Sequence, residues 1–419
     1  MRVGLLKYLF LFLTAITFHA NGSDSNLEDG VLDLRMSKLA DSSVALSGLW
    51  KFYPSQLLSI QDLSVEHPSQ FIQVPSWWTA SDKVAPIQYA TYKLIVLLSK
   101  EDMLQKLVVD MPGTYSSYSL WVNGQFIGSN GIVGMTREAA APQWKPQTYP
   151  IYPKNDTLEI VLHLSNFYHY RSGISDPIYL GGADKLLTQQ QQTKLSGTIL
   201  FYGLLLISML SLGWYYILKK KDKALLYFAF VCIAWALRSI FSNSYLAVQW
   251  YPDFNWSVGI KIEYITLYLS TLFGSLWLGS LFPRDVNRIF KIIYIASCTL
   301  FTIFTIATPP LLFTQFVQLY LGLSSILLFS MLVIMSKAYV EGRQGLSFLV
   351  LTMLFAVIMF GYVILAFQGL FELNAFIFNG GFFLLFLLGG IATVRRIGRM
   401  NTTYDYDRFT MEETKVRIR

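Results

Sequence analysis

The residues best suited to chemistry in this sequence are aromatic, and they gather in a few short stretches before residue 196. Trp77 and Trp78 stand together in "VPSWW", Trp144 lies in "AAAPQWKPQ", and Tyr168, His169, Tyr170 and Arg171 run in succession. Aromatic faces beside a few fixed polar groups are what a sugar ring needs: the faces stack on the pyranose, and the polar groups read its hydroxyls. Trp77, Trp78, Trp144, Tyr168, His169 and Arg171 are therefore the candidate ligand-binding residues. Neighbours in an extended chain point to opposite faces, so one of Trp77 and Trp78 is expected in the core and the other outside it. Packing in a core is the competing use for each aromatic. Nothing comparable points to catalysis. The sequence has no G-x-S-x-G nucleophile elbow and no H-E-x-x-H, and its carboxylates are scattered. The reading is a non-enzyme without cofactor or metal.

The elements that must hold these residues fall into two regions. Residues 24–195 alternate polar and apolar at short range, whereas 196–394 form long apolar blocks separated by short charged loops. The chain is 53% hydrophobic and only 14% charged, as expected of a membrane protein carrying a soluble part. Its net charge of +7 is unevenly divided. Residues 24–195 hold 13 Lys and Arg against 16 Asp and Glu, and 196–419 hold 18 against 10. The basicity thus flanks apolar blocks, which suits a topology signal and argues against nucleic acid as a partner. Both cysteines, Cys232 and Cys298, lie in apolar blocks, so no disulfide frames the first region. All four histidines precede residue 196, which excludes an intramembrane His-ligated metal or haem.

Residues 1–22, with Arg2 and Lys7 flanking a short apolar run, read as a signal peptide, with an uncleaved anchor as the alternative. Residues 24–190 follow as an exported soluble domain. "TLEIVLHLS" and the end of "YATYKLIVLL" alternate like half-buried strands, and Asn123-Gly124 in "LWVNGQFIG" marks a type I′ hairpin. Short strands with frequent turns predict an all-β jelly-roll sandwich. Seven apolar blocks, at about 196–218, 224–243, 262–282, 292–308, 314–336, 346–368 and 376–394, each approach the ~20 residues that a bilayer demands. They predict an α-helical seven-transmembrane bundle over 196–394 and a tail over 395–419. Lys and Arg concentrate in "KKKDK", "PRDVNRIFK" and "KAYVEGRQG", while the alternate loops carry one Lys between them. The sandwich is therefore expected outside and the C-terminus inside.

Arg238 and Glu263, near the outer ends of the second and third blocks, are expected either to pair between helices or to reach toward the headgroups. The seventh block has no Lys, which argues against a retinal Schiff base, and no chain of acidic residues crosses the blocks as in a pump. In the tail, Thr410 and Glu413 have the spacing of a capping box and read as the opening of a helix.

The ordered stretches "LSGLWKFYP", "VPSWW", "ATYKL", "LWVNGQFIGSNG" and "LSNFYHYRSGISDPIYLG" resemble a galactose-binding-like jelly roll. Such a domain occurs as the non-catalytic sugar-binding module of family 2 glycoside hydrolases. Together with seven blocks of this orientation, the chain more closely resembles the seven-transmembrane receptors with diverse intracellular signalling modules. That resemblance implies a bacterial inner-membrane receptor with a periplasmic carbohydrate or similar small-molecule ligand. It also implies a cytoplasmic effector, commonly a kinase or nucleotide cyclase, and homodimerisation. Only 19 residues follow "VRRIGRM", so the effector is expected to be a separate protein, or this sequence to be the receptor part of a longer chain. A membrane-anchored carbohydrate-binding or accessory protein is the alternative reading, and a transporter a weaker third.

Overall fold

The computed structural model describes residues 27–28, 30–65, 67–78, 88–218, 222–242, 245–281, 286, 288–340, 347–367 and 373–417. The expected signal peptide lies outside the described residues, as does most of "KKKDK".

The chain forms a β-sandwich followed by a helical bundle. In the larger sheet, Thr157–Ser165 pairs antiparallel with Tyr89–Leu97 on one side and Ser117–Val122 on the other. Val31–Asp33 and Gly48–Pro54 share the far edge of Tyr89–Leu97, the first parallel to it and the second antiparallel. The second sheet orders Gln147–Ile151, Leu107–Met111, Tyr179–Gly182 and Ser43–Ala45. Its Leu107, Val109 and Met111 meet Leu158, Ile160, Leu162 and Leu164 of the first in one core. The period-2 burial follows from the pleat, which sends alternate side chains to opposite faces.

Asn123 and Gly124 both adopt positive φ, 48° and 81°, and join Val122 to Gln125 across a two-residue turn. That is the geometry of a type I′ hairpin, which asparagine and glycine adopt at little steric cost. Asn123 also anchors the turn to the neighbouring strand. Its Oδ1 accepts from Glu159 N at 2.6 Å and its Nδ2 donates to Thr157 O at 3.1 Å.

Asp110, half-buried on Leu107–Met111, is pushed up to about 6 by loss of solvent. Its folded pKa thus exceeds its unfolded one. Below about pH 4 the carboxyl is protonated in both states and contributes nothing, and a penalty grows as pH rises through 6, at most about 3 kcal/mol. Asp110→Asn is expected to leave the melting temperature of the full chain nearly unchanged at pH 4 and to raise it at pH 7.5. An equal shift at both pH values would refute this.

Strand Tyr179–Gly182 passes directly into helix α1, Ala183–Ile217, so "TQQQQT" lies within the helix that becomes the first membrane segment. Six further long helices follow: α2 (Lys223–Phe241), α3 (Trp256–Leu281), α4 (Arg288–Ala307), α5 (Val317–Val340), α6 (Ser347–Phe367) and α7 (Ala375–Arg417). Among the described residues five are long and apolar enough to cross a membrane, and Lys291–Ala307 and Pro310–Ile326 are shorter apolar stretches. Met209, Ile217, Ile289 and Leu300 stand more than 60% exposed on these helices, as lipid-facing residues do.

Side-chain hydrogen bonds tie the helices together. Ser208 donates to Ala229 O (3.1 Å), Asn379 to Ser196 Oγ (2.9 Å), and Trp277 Nε1 to Thr393 Oγ1 (3.0 Å). Helix α2 packs on both α1 and α3, with Trp235 stacked 4.2 Å from Phe382 of α7. Thr410 does not open a new helix. It lies inside α7, which runs unbroken from Ala375 to Arg417, because no proline interrupts it and the preceding turns already hold its backbone N–H groups.

Candidate functional site

The loops at one end of the sandwich are built into the head of the bundle. The sequence places aromatics in those loops and, unexpectedly, around the ends of α2 and α3 nearest the sandwich. Tyr115, Trp144 and Tyr168 from the sandwich share one apolar cluster with Tyr245, Trp256, Ile260, Tyr264 and Phe313 from the helical region.

Trp144 is the centre of this joint and is fully buried. Its ring meets Tyr245 edge-on at 5.7 Å and Trp256 at 6.3 Å. It lies over Gly259, where a Cβ would come within 2.2 Å of the indole, so α3 needs glycine there for the two parts to close. Tyr168 meets Trp256 at 6.2 Å, and its hydroxyl donates to Arg137 O at 2.7 Å. Two polar contacts cross the joint at its rim: Gln143 Nε2 donates to Pro252 O (3.3 Å), and Tyr170 N to Thr314 Oγ1 (3.1 Å).

His169 is buried, stacked 4.1 Å from Tyr115 with the rings 8° from parallel. Its Nδ1 accepts from Arg171 N at 3.0 Å, which leaves the proton on Nε2, 3.4 Å from the Tyr264 hydroxyl. Burial holds this imidazole down at about 3, so it is neutral and spans the two regions as a hydrogen-bonding group. Asn166 fixes the loop by donating to His169 O (2.8 Å), Arg171 O (3.0 Å) and Ser172 Oγ (2.6 Å). The Arg171 guanidinium sits over the Trp77 ring at 3.8 Å.

The expected ligand-binding residues thus separate. Trp78 belongs to the sandwich core, its indole N–H donating to the Tyr92 hydroxyl and its ring stacked on Tyr92. Trp144, Tyr168 and His169 face membrane helices instead of an open sugar platform. The reason is tertiary: loop length and composition suit an open site and an inter-domain contact equally. Trp77 and Arg171 remain a half-buried pair beside the joint, next to the exposed Tyr170.

Arg238 and Glu263 do meet between helices, although no ion pair joins them. Arg238 donates to the backbone carbonyl of Glu263 at 2.8 Å, and the Glu263 Oε2 has no hydrogen-bond partner among the described residues. The expectation of a side-chain pair is corrected on this point. Sequence reasoning missed Tyr115, Tyr245, Trp256, Gly259, Tyr264 and Thr314. The density of aromatics in "NSYLAVQWYPDFNW" was the available signal, though an aromatic belt at the headgroup level produces the same pattern.

Among solved structures, the chain is similar to a family 2 β-galacturonidase from Eisenbergiella tayi at 17% identity, over 35% of this chain and 25% of that one, with a TM-score of 0.25. A β-glucuronidase from Faecalibacterium prausnitzii matches at 17% identity over 34% and 32%, with a TM-score of 0.27. For β-glucuronidase 2 of Bacteroides uniformis the values are 13%, 33%, 18% and 0.28. The chain spans a third or less of the length of these enzymes, and likeness at this level says nothing about activity. No match was found among curated proteins. Residues 196–395 match the family described as 7TM diverse intracellular signalling. It is this membrane domain, rather than the whole chain, that matches the 7TM diverse intracellular signalling family.

Proposed function

We propose that this protein is a bacterial inner-membrane receptor in which the β-sandwich takes a periplasmic ligand and the aromatic joint passes the event into the bundle. The observation that carries the reading is the burial of Trp144 between Tyr245, Trp256 and Gly259. A sandwich merely tethered to the membrane needs no such contact, whereas a sensor must change the packing of what it controls. The joint is also built to move at modest cost. The indole N–H groups of Trp144 and Trp256 are buried without hydrogen-bond partners among the described residues, so a rearranged state that satisfies them competes with this one.

The ligand is a carbohydrate or similar small molecule, and Trp77 with Arg171 is the part of the expected site that still has solvent access. The alternation of basic loops supports a sandwich outside and a C-terminus in the cytoplasm. Output leaves through α7, which extends as one helix past its apolar window of Ala375–Arg396 to Arg417, toward a kinase or nucleotide cyclase. Homodimerisation would bring two such helices to paired effectors.

The test uses the full chain in nanodiscs and a panel of mono- and oligosaccharides. A binding sugar is expected to raise the melting temperature and to change hydrogen exchange in 397–417. Trp77→Ala should lose the binding, whereas Gly259→Val should keep it and lose the change in α7. Binding in the wild type with no response in α7 would support the anchored-module reading instead.

A further inference from the structure

Below the joint, a cavity of about 220 Å³ enters the bundle, lined by α2, α3, α5, α6 and α7 together with Tyr115 of the sandwich. Its ends differ in chemistry. Arg238, Glu263 and Tyr115 line one part, while Trp235, Phe360 and Leu385 represent the apolar remainder. Glu263 is only 6% exposed, and its Oε2 lacks a hydrogen-bond partner among the described residues. A buried carboxyl oxygen left unpaired beside an open volume is costly, and a donor placed in that volume would remove the cost.

The cavity also persists because the sequence leaves it unfilled. Gly274 lines it on α3, and no heavy atom lies within 4 Å of the position its Cβ would take. A larger apolar residue would fit there and would add packing to the bundle. Close-packed interiors rarely keep such room without use.

The geometry points to an intramembrane binding site for a small aromatic or alicyclic molecule with one hydrogen-bond donor, such as a hydroxyl, an amine or a ring N–H. The donor engages the Glu263 carboxyl, and the hydrocarbon body lies against Trp235, Phe360 and Leu385. An engineered cavity of about 150 Å³ holds benzene, so this one suits a body of roughly nine or ten non-hydrogen atoms. The site is separate from the sandwich and its expected sugar input, and it stands or falls independently of that reading.

Indole and indene test it, because they share a shape and only indole carries an N–H donor. The full chain in nanodiscs is melted with either compound at matched membrane concentration. Indole near ten times its Kd is expected to raise the melting temperature by roughly 2 °C, and indene by clearly less. Gly274→Leu should raise the melting temperature without any compound and abolish the indole shift. Glu263→Leu should reduce the indole shift to that of indene. Equal shifts by both compounds in the wild type, no shift by indole, or an indole shift that survives Gly274→Leu would each overturn the proposal. The Gly274 variant keeps the test decisive even where Glu263→Leu fails to fold.

Discussion

Trp144→Ala is expected to part the sandwich from the bundle and to lower stability by about 3–5 kcal/mol, the range for truncating a fully buried tryptophan. The loss should be larger than for Tyr170, which is 56% exposed at the rim. The vacated volume lies between two separately folded regions, so each can keep its own core while their contact fails. Two transitions should therefore replace one in calorimetry of the full chain, and protease should gain access to residues 131–146. Gly259→Val approaches the same contact from the other side, because a Cβ there collides with the indole. Valine adds volume where tryptophan removal creates it, so agreement between the two variants identifies the contact itself as the cause. A single unshifted transition in both would mean that the joint carries no stability.

The second large effect concerns Arg238. Its part-buried guanidinium is bonded to a backbone carbonyl on the neighbouring helix at 2.8 Å. Arg238→Leu removes that charged donor, although the Thr266 hydroxyl still donates to the carbonyl at 2.9 Å, and takes one of two nearby cations from the Glu263 carboxyl, with an expected cost of about 2 kcal/mol. Reversing both charges, Arg238→Glu with Glu263→Arg, should not rescue stability. Glutamate at 238 would oppose the same carbonyl with another acceptor, and the carbonyl is unchanged by the exchange. Arg238→Lys should recover part of the loss, because an ammonium still donates. Melting of these three variants beside the wild type in nanodiscs decides the matter. A double reversal as stable as the wild type would show that the side chains pair directly.

The fold was largely legible because its signals are local. Asn123-Gly124 adopts the turn that its residue types favour, and Leu158, Ile160, Leu162 and Leu164 share one core because the pleat sends alternate side chains to the same face. The apolar blocks became helices because a long apolar run in lipid must satisfy its own backbone. The tail was read less well. Thr410 and Glu413 match a capping signature, yet cap residues also occur inside helices, and only the continuous α7 decides between the two. The first helix begins well before its apolar block, at Ala183, because the polar and glutamine-rich residues that precede the block continue a helix readily.

The candidate site was legible as residue types and not as a place. Sequence alone determined that Trp77, Trp144, Tyr168, His169 and Arg171 belong to one β-domain, and that Arg238 and Glu263 lie toward the ends of successive apolar blocks. These follow from local periodicity and from the thickness of a bilayer. Only the tertiary structure decided that Trp144 presses on Gly259, that His169 reaches Tyr264, and that Arg238 bonds to a carbonyl rather than a carboxylate. Each of these contacts joins residues 25 to 115 positions apart, a separation over which periodicity carries no information. The relative position of two independently patterned domains depends on how their surfaces fit, and that fit is a property of the folded molecule.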